Sequence, residues 1–274
     1  MEWYEDSNKV IEYWFYCKLS HPCVTFFMLN GGNNEYIMFF VKQEDPQEVH
    51  KPIVIAAMQD MGNVGSIAID AINKSLKTRL FRYVYPPSPN HVIDNGGYID
   101  FQQENWEYRY TKDTIVFGGG IGQPQTNQEL YELCQDIIDV AKMHSARLIY
   151  TLGAFHTTRI IGKKPETFIT TTSRGLTEQI RKLGIPTTPQ SSLITGFNGL
   201  ILGFAKINNI QGIGLYGELD DPRIQQYRTA KSVLQLLERL TYQKFGNLEE
   251  LDVMAEAIDK EIARMKKQGE FFEK

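Results

Sequence analysis

The chain has 274 residues, 29 of them basic and 33 acidic, for a net charge of −4. That length buries a full core without covalent staples, and that charge makes nucleic acid the wrong default partner. Three cysteines, Cys17, Cys23 and Cys134, cannot complete a disulfide framework, and the longest apolar stretch, 11–29, is broken by Glu12, Lys18, His21 and Pro22, so it is not a membrane span.

Residues 1–50 crowd Trp3, Tyr4, Tyr13, Trp14, Phe15, Tyr16, Phe26 and Phe27 into a short stretch, and open on Glu2, Glu5 and Asp6 rather than the basic start of a secretory signal. A cytoplasmic location is therefore expected. Residues 23–29 and 36–41, around Asn30-Gly31-Gly32-Asn33-Asn34, suggest a hairpin added to a sheet edge. Alternatively, Met28 or Met38 is the start and the upstream residues are not native. Cys17, His21 and Cys23 supply three metal-ligand types in seven residues, but zinc needs a fourth and the spacing is not that of a finger, so no metal is expected.

The apolar, β-branched run 53–57 predicts a buried strand, and Val64, Ile67, Ala68, Ala71 and Ile72 recur at helical spacing after it. Between them lies a loop with Gly62 and Gly65. Such a loop, at the carboxyl end of a buried strand and the start of a helix, is where open α/β sheets bind anions. It lacks the lysine of a P-loop and a full GxGxxG, and carries Asp60, whose charge would repel an anion. A tight structural turn is the favoured reading.

Residues 79–85 read as a strand, stopped by Pro86-Pro87-Ser88-Pro89. Residues 98–101 and 106–110 suggest a hairpin about Gln103-Glu104-Asn105, and 114–117 another buried strand ending in Gly118-Gly119-Gly120-Ile121-Gly122. That second glycine run is a backbone cradle or a connection needing positive φ. Then come a helix over 128–143, a strand over 148–152, a short strand over 167–171, a helix over 174–183, a helix over 198–208, a strand over 212–216 and a helix over 224–242. Strands alternating with helices predict an α/β three-layer sandwich with a mainly parallel central sheet.

Gly153-Ala154-Phe155-His156-Thr157-Thr158-Arg159 would bring an imidazole, two hydroxyls and a guanidinium to the carboxyl edge. His156 as acid or base and Arg159 as an anion clamp make the best enzymatic constellation in the chain. No nucleophile or fixed carboxylate accompanies them, so a polar surface or subunit contact is favoured and no residue is assigned as catalytic. Glu218, Asp220 and Asp221 are hard oxygen ligands, yet Asp221-Pro222 also reads as a helix start. From Leu248 onward, Leu251, Met254, Ile258, Ile262 and Met265 form an apolar stripe on a charged helix, which either docks on its own domain or seeks a partner.

The glycine loop Met61-Gly62-Asn63-Val64-Gly65-Ser66-Ile67-Ala68, the stretch 150–173 and the stretch 193–240 with ITGFNGLILGFAKINNIQGIGLYGELDDP together resemble the proteasome assembly chaperone family, including the archaeal and bacterial homologues of its second member. The resemblance covers about residues 51–243. It implies a nucleoside-phosphorylase-like fold adapted to protein contact, a homo-oligomer, no cofactor, and α-type proteasome subunits or another protein as client. The chain then divides into a strand-rich extension (1–50), the chaperone-like domain (51–243) and an amphipathic helix and tail (244–274). Some members of that family dock through a terminal hydrophobic–tyrosine–any tripeptide. Here Phe272-Glu273-Lys274 puts glutamate in the tyrosine position, leaving Phe271 and Phe272 as possible anchors alongside Leu251, Met254, Ile258 and Ile262. The alternative is a nucleoside, phosphate or carboxylate held between Gly62, Gly65, Gly119, Gly120, His156 and Arg159, which predicts a concave pocket where those loops meet.

Overall fold

The computed structural model describes residues 49–86, 93–100, 105–119, 122–158, 164–188 and 193–268, with the backbone of 10–14, 25–29 and 39–42. In chain order the elements are β1 (Val10–Trp14), β2 (Thr25–Leu29), β3 (Phe39–Lys42), β4 (Ile53–Ala56), α1 (Val64–Leu76), β5 (Arg79–Tyr85), β6 (Ile93–Asp94), β7 (Ile99–Asp100), β8 (Trp106–Tyr110), β9 (Thr114–Gly118), α2 (Asn127–Met143), β10 (Leu148–His156), β11 (Thr167–Thr171), α3 (Arg174–Lys182), α4 (Gly196–Ile207), β12 (Gly212–Leu219), α5 (Tyr227–Thr241) and α6 (Glu249–Gln268).

An eight-stranded sheet runs in the order β11-β12-β10-β4-β9-β8-β5-β3. Its centre, β12-β10-β4-β9, is parallel, and the strands outside it pair antiparallel. The strand alternation divides the core. Val54, Ala56 and Met58 face α2 and α4, packing with Phe117, Leu133, Ile137, Phe197 and Ile201. Ile53, Ile55 and Ala57 face α1 and α5, with Val64, Ile72, Val233 and Leu237. Both faces of β4 are thus covered, which is why its sequence is apolar without alternation. The expected three-layer α/β architecture is the observed one.

Several local expectations change, among them the strand over 212–216, which runs on to Leu219. β2 pairs with β1 rather than with the strand after it, and β3 instead joins the sheet edge beside β5. β8 does not pair with β7: it returns directly into β9 through a tight connection in which Thr111 N–H donates to the Thr114 carbonyl at 2.8 Å. The hairpin in that region is β6–β7, turned at Gly96 (φ 72°) and Gly97 (φ 100°), an Asn-Gly turn stronger than Gln103-Glu104-Asn105. Lastly, β10 does not stop at Leu152. It continues to His156 because every residue from Ile149 onward finds a partner in β12.

Candidate functional site

The parallel strands deliver three segments to one edge: residues 58–63 after β4, 119 and 122–123 after β9, and the end of β10. Asp60 sits at their centre. Its Oδ1 accepts the Gly65 N–H at 2.9 Å and its Oδ2 the Ala154 N–H at 3.0 Å. The chain's own carboxylate therefore occupies the anion position at the start of α1. Burial, only partly offset by these backbone donors, pushes the Asp60 pKa up to about 7. Each oxygen already holds a backbone N–H, so the group braces the crevice between β4 and β10.

The glycines around Asp60 are there for close approach. Gly62 has φ 64°, donates its N–H to the Pro222 carbonyl at 3.0 Å and accepts from Gln226 N–H at 2.9 Å; a Cβ there would stand 2.5 Å from Gln226 Cγ. A Cβ on Gly65 would run into the carbonyl of Met58 and lie 3.1 Å from that of Leu152. On Gly119 it would lie 2.8 Å from the Asn105 carbonyl. Gly120 and Arg159 lie outside the described residues.

Beneath this edge runs a polar chain. Thr151 Oγ1 donates to Asn198 Oδ1, the Asn198 carbonyl accepts from Tyr216 O–H at 3.3 Å, and Gln123 Oε1 caps the start of α4 by accepting the Phe197 N–H at 3.0 Å. Burial pushes the Tyr216 phenol well above its ordinary value, so it stays a neutral donor. Asn198 and Gln123 were not singled out in the sequence. The available signal was a buried asparagine inside the apolar run of α4.

His156 is exposed at the end of β10, its Nε2 3.2 Å from the Asp220 carbonyl. Among the described residues, a guanidinium in this neighbourhood is that of Arg223, which grips Asp221 through Nε and Nη2 at 2.9 and 2.8 Å and holds that carboxyl below its ordinary range. Asp221-Pro222 does not open α5, which starts five residues later at Tyr227; the Pro222 carbonyl instead anchors Gly62. Among the described residues no group of three His, Cys, Asp or Glu side chains comes together as a metal site; Cys17, His21 and Cys23 lie outside them.

α6 lies against α5. Ala255 is buried, Leu251 packs on the core shared with α1 and α5, and the helix is tied down by Lys231 to Glu249 (3.0 Å) and Asp252 (2.5 Å) and by Arg228 to Asp259 (2.6 Å). Ile258 and Ile262 are half-buried and line a groove of about 300 Å³ with Ile224 and Tyr227. Met254 is 47% exposed, off the packed face. Phe271 and Phe272 lie outside the described residues.

The fold is that of several solved proteins. PbaB of Pyrococcus furiosus, an archaeal proteasome activator, superposes with a TM-score of 0.72 at 22% identity, over 84% of this chain and 98% of its own. PbaA of the same organism, an archaeal homolog of proteasome-assembly chaperone, gives 0.69 at 22% identity, over 85% and 93%. In sequence, the chain is 28% identical to an uncharacterised protein of Methanocaldococcus jannaschii over 247 residues, 84% of this chain and 91% of the other. The PAC2 family model matches residues 54–266, which span the braced crevice, nearly all of the parallel strands and nearly all of α6, and the chain belongs to the PAC2 family.

Proposed function

We propose that this chain is a non-enzymatic, protein-binding assembly factor, a homo-oligomeric cytoplasmic scaffold for partner subunits of the proteasome type. The observation that carries this reading is the occupied crevice: Asp60 fills the place where an α/β sheet usually receives a ligand. Surfaces are then what remains for recognition. The family supports the same reading, as do the activator and assembly-chaperone roles of its Pyrococcus furiosus neighbours. In this reading residues 51–243 form the scaffold, residues 1–50 extend it, and residues 244–274 carry the partner contact through Met254, the open sides of Ile258 and Ile262, and Phe271 and Phe272.

The test is the native mass of the full chain, alone and mixed with separately expressed α-type proteasome subunits of the same organism. A defined mixed complex is expected, weakened by Met254→Asp, which touches no core contact. A chain whose mass ignores those subunits overturns the proteasome assignment.

A further inference from the structure

Six non-glycine residues among those described have positive φ; one of them, Lys51 (φ 47°), lines a groove at the opposite, amino edge of the sheet, and another, Tyr242 (φ 58°), directly precedes Gln243 of the same groove. A bulky residue in this region is uncommon and marks a position that the surroundings over-determine. Lys51, Asp113 and Arg147 stand just before β4, β9 and β10, three adjacent parallel strands. With His50 and Gln243 they line an open groove of about 440 Å³.

The Arg147 side chain is anchored, and the groove's charges are left unmatched among the described residues. Arg147 donates its backbone N–H to the Pro52 carbonyl at 2.8 Å and its Nε to the Lys51 carbonyl at 2.7 Å. Among the described residues, its Nη amines and the Lys51 ammonium meet no acceptor, and the Asp113 carboxylate no cation. Two permanent cations face one carboxylate, a locally positive site on a chain of net charge −4. At the rim, next to Gln243, Tyr242 is 91% exposed; its backbone is fixed by an N–H bond to the Glu238 carbonyl at 2.9 Å. A shallow wall cannot enclose a small molecule, whereas an open groove carrying a planar guanidinium, with an exposed tyrosine one residue from its lining Gln243, suits a passing polypeptide.

We propose that the amino-edge groove docks an acidic segment of a protein partner. A carboxylate takes the Nη pair of Arg147, Lys51 supplies the second cation, and Tyr242 packs over the segment from the rim. The site is separate from α6 and does not depend on the partner being a proteasome subunit.

The test is fluorescence anisotropy of a labelled hexaglutamate peptide titrated with the full chain at constant ionic strength. Saturable binding is expected, at least about tenfold weaker in Arg147→Ala, which removes the bidentate pair. Lys51→Asn, which suits the left-handed backbone, and Tyr242→Ala should each weaken it several-fold, while Lys182→Ala on α3 leaves it unchanged. Because Arg147 also braces Lys51, thermal unfolding accompanies the series, and Lys51→Asn with Tyr242→Ala decides the matter should Arg147→Ala lose its fold. Absence of saturable binding, equal binding by all variants, or displacement by inorganic phosphate as effective as by unlabelled peptide overturns the proposal.

Discussion

At the carboxyl edge of the sheet, an acidic side chain is turned inward, both its oxygens hold backbone N–H groups, and glycines bring carbonyls within reach. At the amino edge, two cations and a carboxylate share a groove without pairing among the described residues, and a tyrosine next to it in sequence stands in solvent. The same parallel strands supply both edges. The difference teaches that a glycine loop at a helix start signals an anion position, and that the chain itself can furnish the anion.

The sharpest way to break this contrast is at Gly65. Gly65→Val places a branched side chain against the Met58 and Leu152 carbonyls, neither of which can retreat without disturbing β4 or β10. A loss of about 3 kcal/mol or more is expected in urea unfolding, since overpacking a rigid site is costly. Near-wild-type stability would mean the loop is slack and open to a ligand.

Asp60 tests the same edge through pH. Its folded pKa is raised from 3.8 to about 7, so the folded chain binds a proton more tightly than the unfolded one. The stability this contributes is complete below pH 4 and is lost as pH rises through 7. The full shift corresponds to on the order of 4 kcal/mol. Asp60→Asn removes this slope, and should itself cost about 1–3 kcal/mol near pH 5 because one buried N–H loses its acceptor. Stability profiles of the two proteins against pH, coinciding in shape, would show that Asp60 is solvated and the crevice accessible.

The smallest effect is expected at the amino edge. Arg147→Ala removes one exposed hydrogen bond to the Lys51 carbonyl, so its unfolding free energy should fall by about 1 kcal/mol or less. A larger loss would make that groove a structural joint rather than a free surface.

Much of the fold was legible in the residues. Ile53, Val54, Ile55 and Ala56 read as a strand covered on both faces because no polar position interrupts them, and the limits of β5 and β11 coincide with their β-rich runs. Val64, Ile67, Ala68 and Ile72 marked the buried face of α1. The candidate site was legible only as a list. Gly62 and Gly65 were visible as a turn, and Asp60 as a charge unfriendly to anions, but nothing local says that Asp60 reaches Ala154, 94 positions away. The return of β8 into β9, with β7 paired to β6 instead, was missed for a related reason: several short runs near one another satisfy the same alternation.

The sequence by itself determined the periodicities, and with them the layer order, the α/β class and the family, because burial on one or two faces leaves a local imprint on every element. Only the tertiary structure decided which polar groups are consumed within the chain and which face outward. Asp60 and Arg147 are both single charges next to buried strands; one is matched by donors from the helix start just after it and from a strand 94 positions away, and the other keeps its Nη amines unmatched among the described residues. That distinction depends on which strands, far apart in sequence, lie side by side in the sheet, where a hydrogen bond forms over about 3 Å of space rather than along the chain.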